Sequence, residues 1–260
     1  CLTGLDIEAK AKLIEEAFWA SCPYSPSDYA QVSTALVRTD QSDPESNEQA
    51  VALFRITVKD PDEKKTGRAF ANAMTELALS TIPGFFGVGG GPAGGRPFGV
   101  YVPARIPSER VTKDVVLLGG DTHQVSSVIP PADVHVTPAA GRDAAAPEGQ
   151  TQRLPLGTVF GTRSGDKGGN ANLGVFARSD EAWVWIDSFL SVERLRELLP
   201  EVADLPVDRH RLPGLRSLNF LIHGLLDEGV AASTRQDGQA KSLGEWLRAR
   251  VVDMPEVLLS

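Results

Sequence analysis

The stretch Arg163-Ser164-Gly165-Asp166-Lys167-Gly168-Gly169-Asn170-Ala171-Asn172 decides how the second half of the chain is read. Leu156 to Gly161 before it, and Leu173-Gly174-Val175-Phe176-Ala177 after it, read as short strands. What lies between reads as a wide turn carrying more functional groups than a hairpin requires. Glycine permits positive φ and lets a ligand come close to the backbone. Backbone N–H groups flanked by Arg163 and Lys167 can cradle a phosphate or a carboxylate. The same Asp and Asn side chains also suit a plain hairpin, where they satisfy the turn backbone. Local chemistry leaves both readings open.

Working outward, Trp183-Val184-Trp185-Ile186 reads as a strand. Ser191 is placed to cap a helix whose apolar face is Val192, Leu195, Leu198, Leu199 and Val202. Leu218, Phe220 and Ile222 alternate with Asn219, Leu221 and His223 as a strand does. Ser242 and Glu245 have the spacing of a capping box for a last helix burying Leu243, Trp246, Leu247 and Val251. Strands covered by two helices predict a small α+β sandwich over residues 154–260. Before it, residues 138–153 shift to Ala, Pro, Gly, Glu and Gln with no periodicity, the composition of a linker.

Residues 1–137 read as a first domain of mixed α/β character. Asp6 is placed to cap a helix with Ile7, Ala11, Ile14, Ala17 and Phe18 on one face, and Glu8 and Lys12 are spaced as an ion pair. Residues 30–38 and 50–59 read as strands, and 66–80 as a helix with Phe70, Met74, Leu77 and Ala78 on one face. The run Val88 to Pro97 holds Gly89, Gly90, Gly91, Gly94 and Gly95. Such a loop can approach a ligand or a neighbouring subunit closely. It has no Gly-Lys-Ser/Thr ending and no strand-then-helix context for a dinucleotide fingerprint. Residues 115–118 and 134–136 read as strands.

Composition narrows the classes. Of the 260 residues 42% are hydrophobic and 23% charged, as in a soluble globular protein, and no apolar run reaches the length of a membrane span. A net charge of −8 without a basic stripe argues against nucleic acid. Cys1 and Cys22 make neither a disulfide framework nor a metal motif, and a reducing cytoplasm is the expected setting. The four histidines lack metal-ligand spacing, so no metal site is expected, and no nucleophile elbow occurs. The start at Cys1 has three readings: a lipidated residue, an N-terminal nucleophile, or a piece of a longer chain. The last is the plainest.

The run RSGDKGGNANLGVFAR resembles the signature of the small C-terminal domain of the AtuA-like, acyclic terpene utilisation, family. The matching positions here are Arg163 to Gly168, Asn172 and Ala177-Arg178. Leu212-Pro213-Gly214-Leu215 leading into Leu218-Asn219-Phe220, and Asp237-Gly238-Gln239-Ala240-Lys241, agree as well. Ala240 stands where the family usually has glycine, which puts a tight glycine turn in question there. Gly91 to Gly95, and the stretch Tyr101 to Pro107, match the family's larger domain.

The resemblance implies a ferredoxin-like fold for residues 154–260. It also implies a role in the catabolism of isoprenoid or branched acids as coenzyme A thioesters, and a lyase or hydratase type of reaction is the expectation for this chain. The thioester is then substrate, and no cofactor is expected. Asp166 and Lys167 are the catalytic candidates, Asp166 as acid or base when desolvated. Arg163, Ser164, Gly165, Gly168 and Asn172, with Gly91, Gly94 and Gly95, are the substrate-binding candidates. A homo-oligomer is expected, with a second polypeptide or a missing N-terminal half as partner. The rival reading is a non-catalytic assembly subunit packed on a partner that holds the active site.

Overall fold

The computed structural model describes residues 1–87, 94–126 and 149–259. The chain divides into two compact units, Cys1–Pro97 and Phe98–Ser260. The linker expected over 138–153 lies outside the described residues up to 148, and a strand begins within it at Thr151. The strand expected over 134–136 lies outside them too.

In the first unit, β1 (Leu2–Thr3), α1 (Ile7–Ser21), β2 (Gln31–Val37), β3 (Val51–Lys59) and α2 (Phe70–Leu77) follow in order. The strands form an antiparallel sheet ordered β1-β3-β2. Ile7, Ala11, Ile14 and Phe18 of α1 are buried at helical spacing against Leu2, Ala52, Ala73 and Leu77. Phe18 meets Phe70 edge-on, with ring centroids 5.0 Å apart. Three local expectations change. Asp6 sits at φ 58 and makes no side-chain cap; its carbonyl takes the N–H of Lys10. Glu8 pairs with Arg38, and Lys12 pairs with Glu16 at 3.8 Å. The helix expected from residue 66 becomes regular only at Phe70, because Gly67 leaves helical geometry (φ −88, ψ −138), and Ala78 beyond its end is exposed.

The second unit starts with a two-stranded hairpin, β4 (Asp114–Val116) and β5 (Thr122–Gln124). The strand β6 (Thr151–Pro155) follows. Then come β7 (Gly161–Lys167), β8 (Asn170–Phe176), α3 (Asp180–Phe189), α4 (Val192–Leu198), β9 (Val207–Leu212), β10 (Ser217–Ile222), α5 (Leu243–Ala249) and β11 (Val251–Pro255). β11 pairs with β6, which closes the two ends of the segment 151–255 on each other. The main sheet is antiparallel throughout, ordered β7-β8-β10-β9. β8 passes through α3 and α4 to β9, and β10 inserts between them as a split β-α-β unit. β7 outside β8 stands where the last strand of the ferredoxin-like arrangement stands, here moved to the front of the domain.

Period-two alternation sends Ala171, Leu173, Val175, Leu218, Phe220 and Ile222 into one core with Trp183, Ile186, Leu195, Leu199 and Leu247. The run Trp183 to Ile186 is helix, not strand. Trp183, Ile186 and Leu190 bury one stripe at spacings of three and four, and Ser179 caps the helix by accepting the Ala182 N–H at 3.1 Å. Ser191 caps α4 as expected, taking the Arg194 N–H at 3.1 Å. Arg209 and Arg211 of β9 both reach the Asp187 carboxylate, pinning that strand to α3. Val251, expected in the core, is exposed because the chain has left α5 and entered β11.

Candidate functional site

The stretch expected to be a wide turn is itself a strand. β7 runs through Lys167, and the turn is only Gly168-Gly169. Gly168 takes φ 66 while Gly169 stays out of the left-handed region, the pattern of a type II′ hairpin with glycine at its first central position. Both glycines are also needed for space. A Cβ on Gly168 would stand 2.7 Å from the Tyr101 ring, and one on Gly169 would stand 2.1 Å from the Asp227 carbonyl oxygen.

Because β7 is extended, the candidates divide between its two sides. Arg163 pairs with Gly174, Gly165 with Asn172 and Lys167 with Asn170, all on the face away from the helices. Ser164 and Asp166 pair with the core-facing Leu173 and Ala171. Ser164 is buried, donates to the Lys241 carbonyl at 3.3 Å and accepts the Gly244 N–H at 2.9 Å. Its hydroxyl therefore clamps β7 to the start of α5. Arg163 is exposed and has no hydrogen-bond or ion-pair partner among the described residues. Lys167 is exposed, and its ammonium donates to the Asp166 carbonyl at 2.8 Å. Asn172 donates to Asn219 Oδ1 at 3.2 Å.

Lys241, which the sequence placed in a matching stretch but not in the site, arrives from 77 residues away along the chain. Its Nζ stands 3.2 Å from where a Gly165 Cβ would be, and 4.0 Å from Asp166 Oδ1. The loop before it is held by Asp237, whose carboxylate accepts the Lys241 N–H at 3.0 Å, the Ser242 N–H at 2.8 Å and the Ser242 hydroxyl at 2.7 Å. Burial pushes the Asp237 carboxyl up, but those hydrogen bonds together outweigh it and hold it below the ordinary range. Ser242 thus spends its hydroxyl on a carboxylate, and the expected capping box with Glu245 does not form. At the position where Ala240 put a tight glycine turn in question, Ala240 itself takes the left-handed conformation, at φ 53.

Gly244 lies in the first turn of α5. A side chain there would stand 2.7 Å from Thr162 Oγ1, so glycine lets the helix close onto β7. Between them lies a cleft of about 270 Å³ lined by Thr162, Arg163, Ser164, Lys241, Gly244 and Glu245. A glycine in a helix's first turn, where propensity disfavours it, was the signal for this contact.

At the other end of β7, Tyr101 lies against Gly168 and Gly229, and its N–H donates to the Glu228 carbonyl at 3.1 Å. Gly94 and Gly95 belong to the first compact unit. There Gly95 donates to the Thr66 carbonyl at 2.9 Å, and a Cβ on it would stand 2.6 Å from Thr66 Oγ1. Among the described residues no atom lies within 4 Å of a Gly94 Cβ position. Gly91 lies outside the described residues. Among the described residues no cluster of three or more potential metal ligands occurs, and no helix is long and apolar enough to cross a membrane.

A ferredoxin-like sheet whose edge hairpin gathers Arg163, Lys167, Lys241 and Asn172 defines a domain class with one functional-group-rich edge. The stretches meeting there are those by which the sequence resembles one family. Residues 154–253 match the AtuA ferredoxin-like domain, and residues 1–117 match the acyclic terpene utilisation family protein AtuA. The chain belongs to the AtuA-like family. No curated protein and no solved structure matches it.

Proposed function

We propose that this chain is part of an acyl-CoA-metabolising enzyme of lyase or hydratase type, acting on isoprenoid or branched acids in the cytoplasm. The observation that carries the reading is the convergence of three separate stretches on β7 and the strands beside it. Arg163 and Lys167 come from β7, Lys241 from the loop before α5, and Asn219 from β10, where it holds Asn172. The arrangement suits an anionic substrate. Arg163 has no internal partner among the described residues to neutralise it, and Gly174, its partner across the hairpin, adds no side chain beside it. Asp166, on the other face of β7, lies 4.0 Å from the Lys241 ammonium, which supports its role as the acid or base toward a substrate bound at Lys241.

Lys167→Ala tests this reading directly. Loss of a charge-assisted contact predicts about a tenfold or larger drop in acyl-CoA affinity or turnover. Unchanged affinity and turnover, measured calorimetrically and by thioester absorbance, would sink the assignment.

A second reading, an assembly subunit packed on a partner chain that holds the active site, is favoured by a different observation. Between residues 98 and 126 many apolar side chains stand in solvent, including Val102, Ile106, Val116 and Leu118. The native mass of the untagged protein from its source decides between one chain and an assembly.

A further inference from the structure

Strand β7 carries Arg163, Gly165 and Lys167 on its outer face, at alternate positions. The middle position has no side chain of its own, and the Lys241 ammonium occupies the adjoining space, 3.2 Å from where a Cβ would be. It makes Gly165 buried although Arg163 and Lys167 on either side are exposed. A row of three cations therefore follows the strand, spanning about 14 Å from Arg163 to Lys167 at about 3.4 Å per residue. Among the described residues one carboxylate opposes the row closely, Asp166 at 4.0 Å from Lys241; Glu245 across the cleft is engaged by Arg248 at 3.0 Å.

We infer that this row is a polyphosphate-recognition strip, with Lys241 as its central binding residue. It takes the phosphate-bearing, nucleotide-like segment of the ligand and not the acyl group. This rests on the acyl-CoA reading above and deepens it. A single carboxylate would be satisfied by one guanidinium. Three cations spaced along an extended strand instead match several phosphates spaced along a chain. The cleft beside the row, about 270 Å³ and polar-lined by Thr162, Ser164 and Glu245, is poorly suited to an apolar acyl tail.

The test is calorimetric titration of the full chain, and of its Lys241→Ala and Lys241→Arg variants, at two ionic strengths. The probes are a coenzyme A thioester, the same acyl group on phosphate-free pantetheine, adenosine 3′-phosphate 5′-diphosphate, and acetate. The Lys241 ammonium makes no hydrogen bond to the fold among the described residues, so Lys241→Ala is expected to keep the wild-type circular dichroism and melting point. Expected is binding of the adenosine 3′-phosphate 5′-diphosphate and the thioester, weakened about tenfold by Lys241→Ala, partly restored by Lys241→Arg, and falling with salt. The pantetheine thioester should bind at least tenfold more weakly.

If the thioester binds Lys241→Ala as tightly as wild type, or pantetheine binds as well as coenzyme A, the strip is overturned while the acyl-CoA reading stands. If the phosphate-only nucleotide binds through Lys241 but no thioester is bound or turned over, the acyl-CoA reading fails and the strip stands. Binding of acetate alone through Lys241, or of none of the four probes, overturns the strip.

Discussion

Ala240 is held at φ 53 with its side chain 2% exposed. A left-handed alanine costs about 1 kcal/mol relative to glycine. Its buried methyl returns about 0.8 kcal/mol, and alanine also restricts the unfolded chain by about 0.5 kcal/mol. These effects nearly cancel, which explains how alanine serves where the family usually has glycine. Ala240→Gly is therefore expected to change stability by less than about 1 kcal/mol in urea denaturation. Ala240→Val sets a branched side chain in the same backbone region and overfills a closed site, and should cost about 2–3 kcal/mol. A large gain from glycine would mean that the turn is strained more than the methyl compensates.

At the scale of elements, β7 and α5 are joined by Ser164 on one side and the Asp237 loop on the other. Hydrogen bonds to a carboxylate contribute about 1.5–3 kcal/mol each when removal leaves their donors unmet, less where water replaces them. Asp237→Asn should then destabilise by about 1–2 kcal/mol at pH 7. The sign of the pH dependence follows from the depressed carboxyl of Asp237. Its contribution is complete above the unfolded value of about 3.9 and is lost as pH falls through the lower folded value. Urea midpoints between pH 7 and pH 2.5 should fall more steeply for wild type than for Asp237→Asn; parallel curves would remove Asp237 from the clamp.

Legibility at this scale followed periodicity. Leu218, Phe220 and Ile222, and the α1 stripe, announced their elements because apolar residues recur at two or at three and four. The Trp183–Ile186 run is too short and too uniformly apolar to choose between strand and helix; only Ser179 with Asp180 and Glu181 behind it signals a helix start. The Arg163–Lys167 stretch misled for the opposite reason. Its polar and glycine content reads as loop, although an edge strand with one face in solvent tolerates both. Its two-sided nature, and hence the separation of Ser164 and Asp166 from Arg163 and Lys167, follows only from the register. Lys241 stood in a stretch matched to the family, but its placement beside Gly165 is a long-range contact that no local pattern encodes.

For the whole molecule, each compact unit holds its own apolar core, one built on α1 and β3, the other on β8, β10 and the helices α3 to α5. The β4–β5 hairpin lies outside both cores, and an isolated two-stranded hairpin is marginal in water. Val115, Val116, Leu117 and Leu118 are 47%, 68%, 48% and 108% exposed, so burying them would stabilise by about 1.5–3 kcal/mol per fully covered side chain. Among the described residues no further strand pairs with the hairpin, and an incoming strand could add to its edge. If a partner covers it, native mass spectrometry of the untagged protein at micromolar concentration will give an assembly with a second polypeptide or a second copy. Val116→Asp with Leu118→Asp will then reduce it to the mass of one chain, because each aspartate would have to enter an apolar contact unpaired. The cation row lies on β7 and the loop before α5, not on the hairpin, so loss of the assembly should leave nucleotide binding in place if the row is self-sufficient. A wild-type protein that already runs at the mass of one chain, with the doubly substituted variant unchanged in mass and solubility, would dispose of the assembly reading and leave acyl-CoA chemistry to this chain.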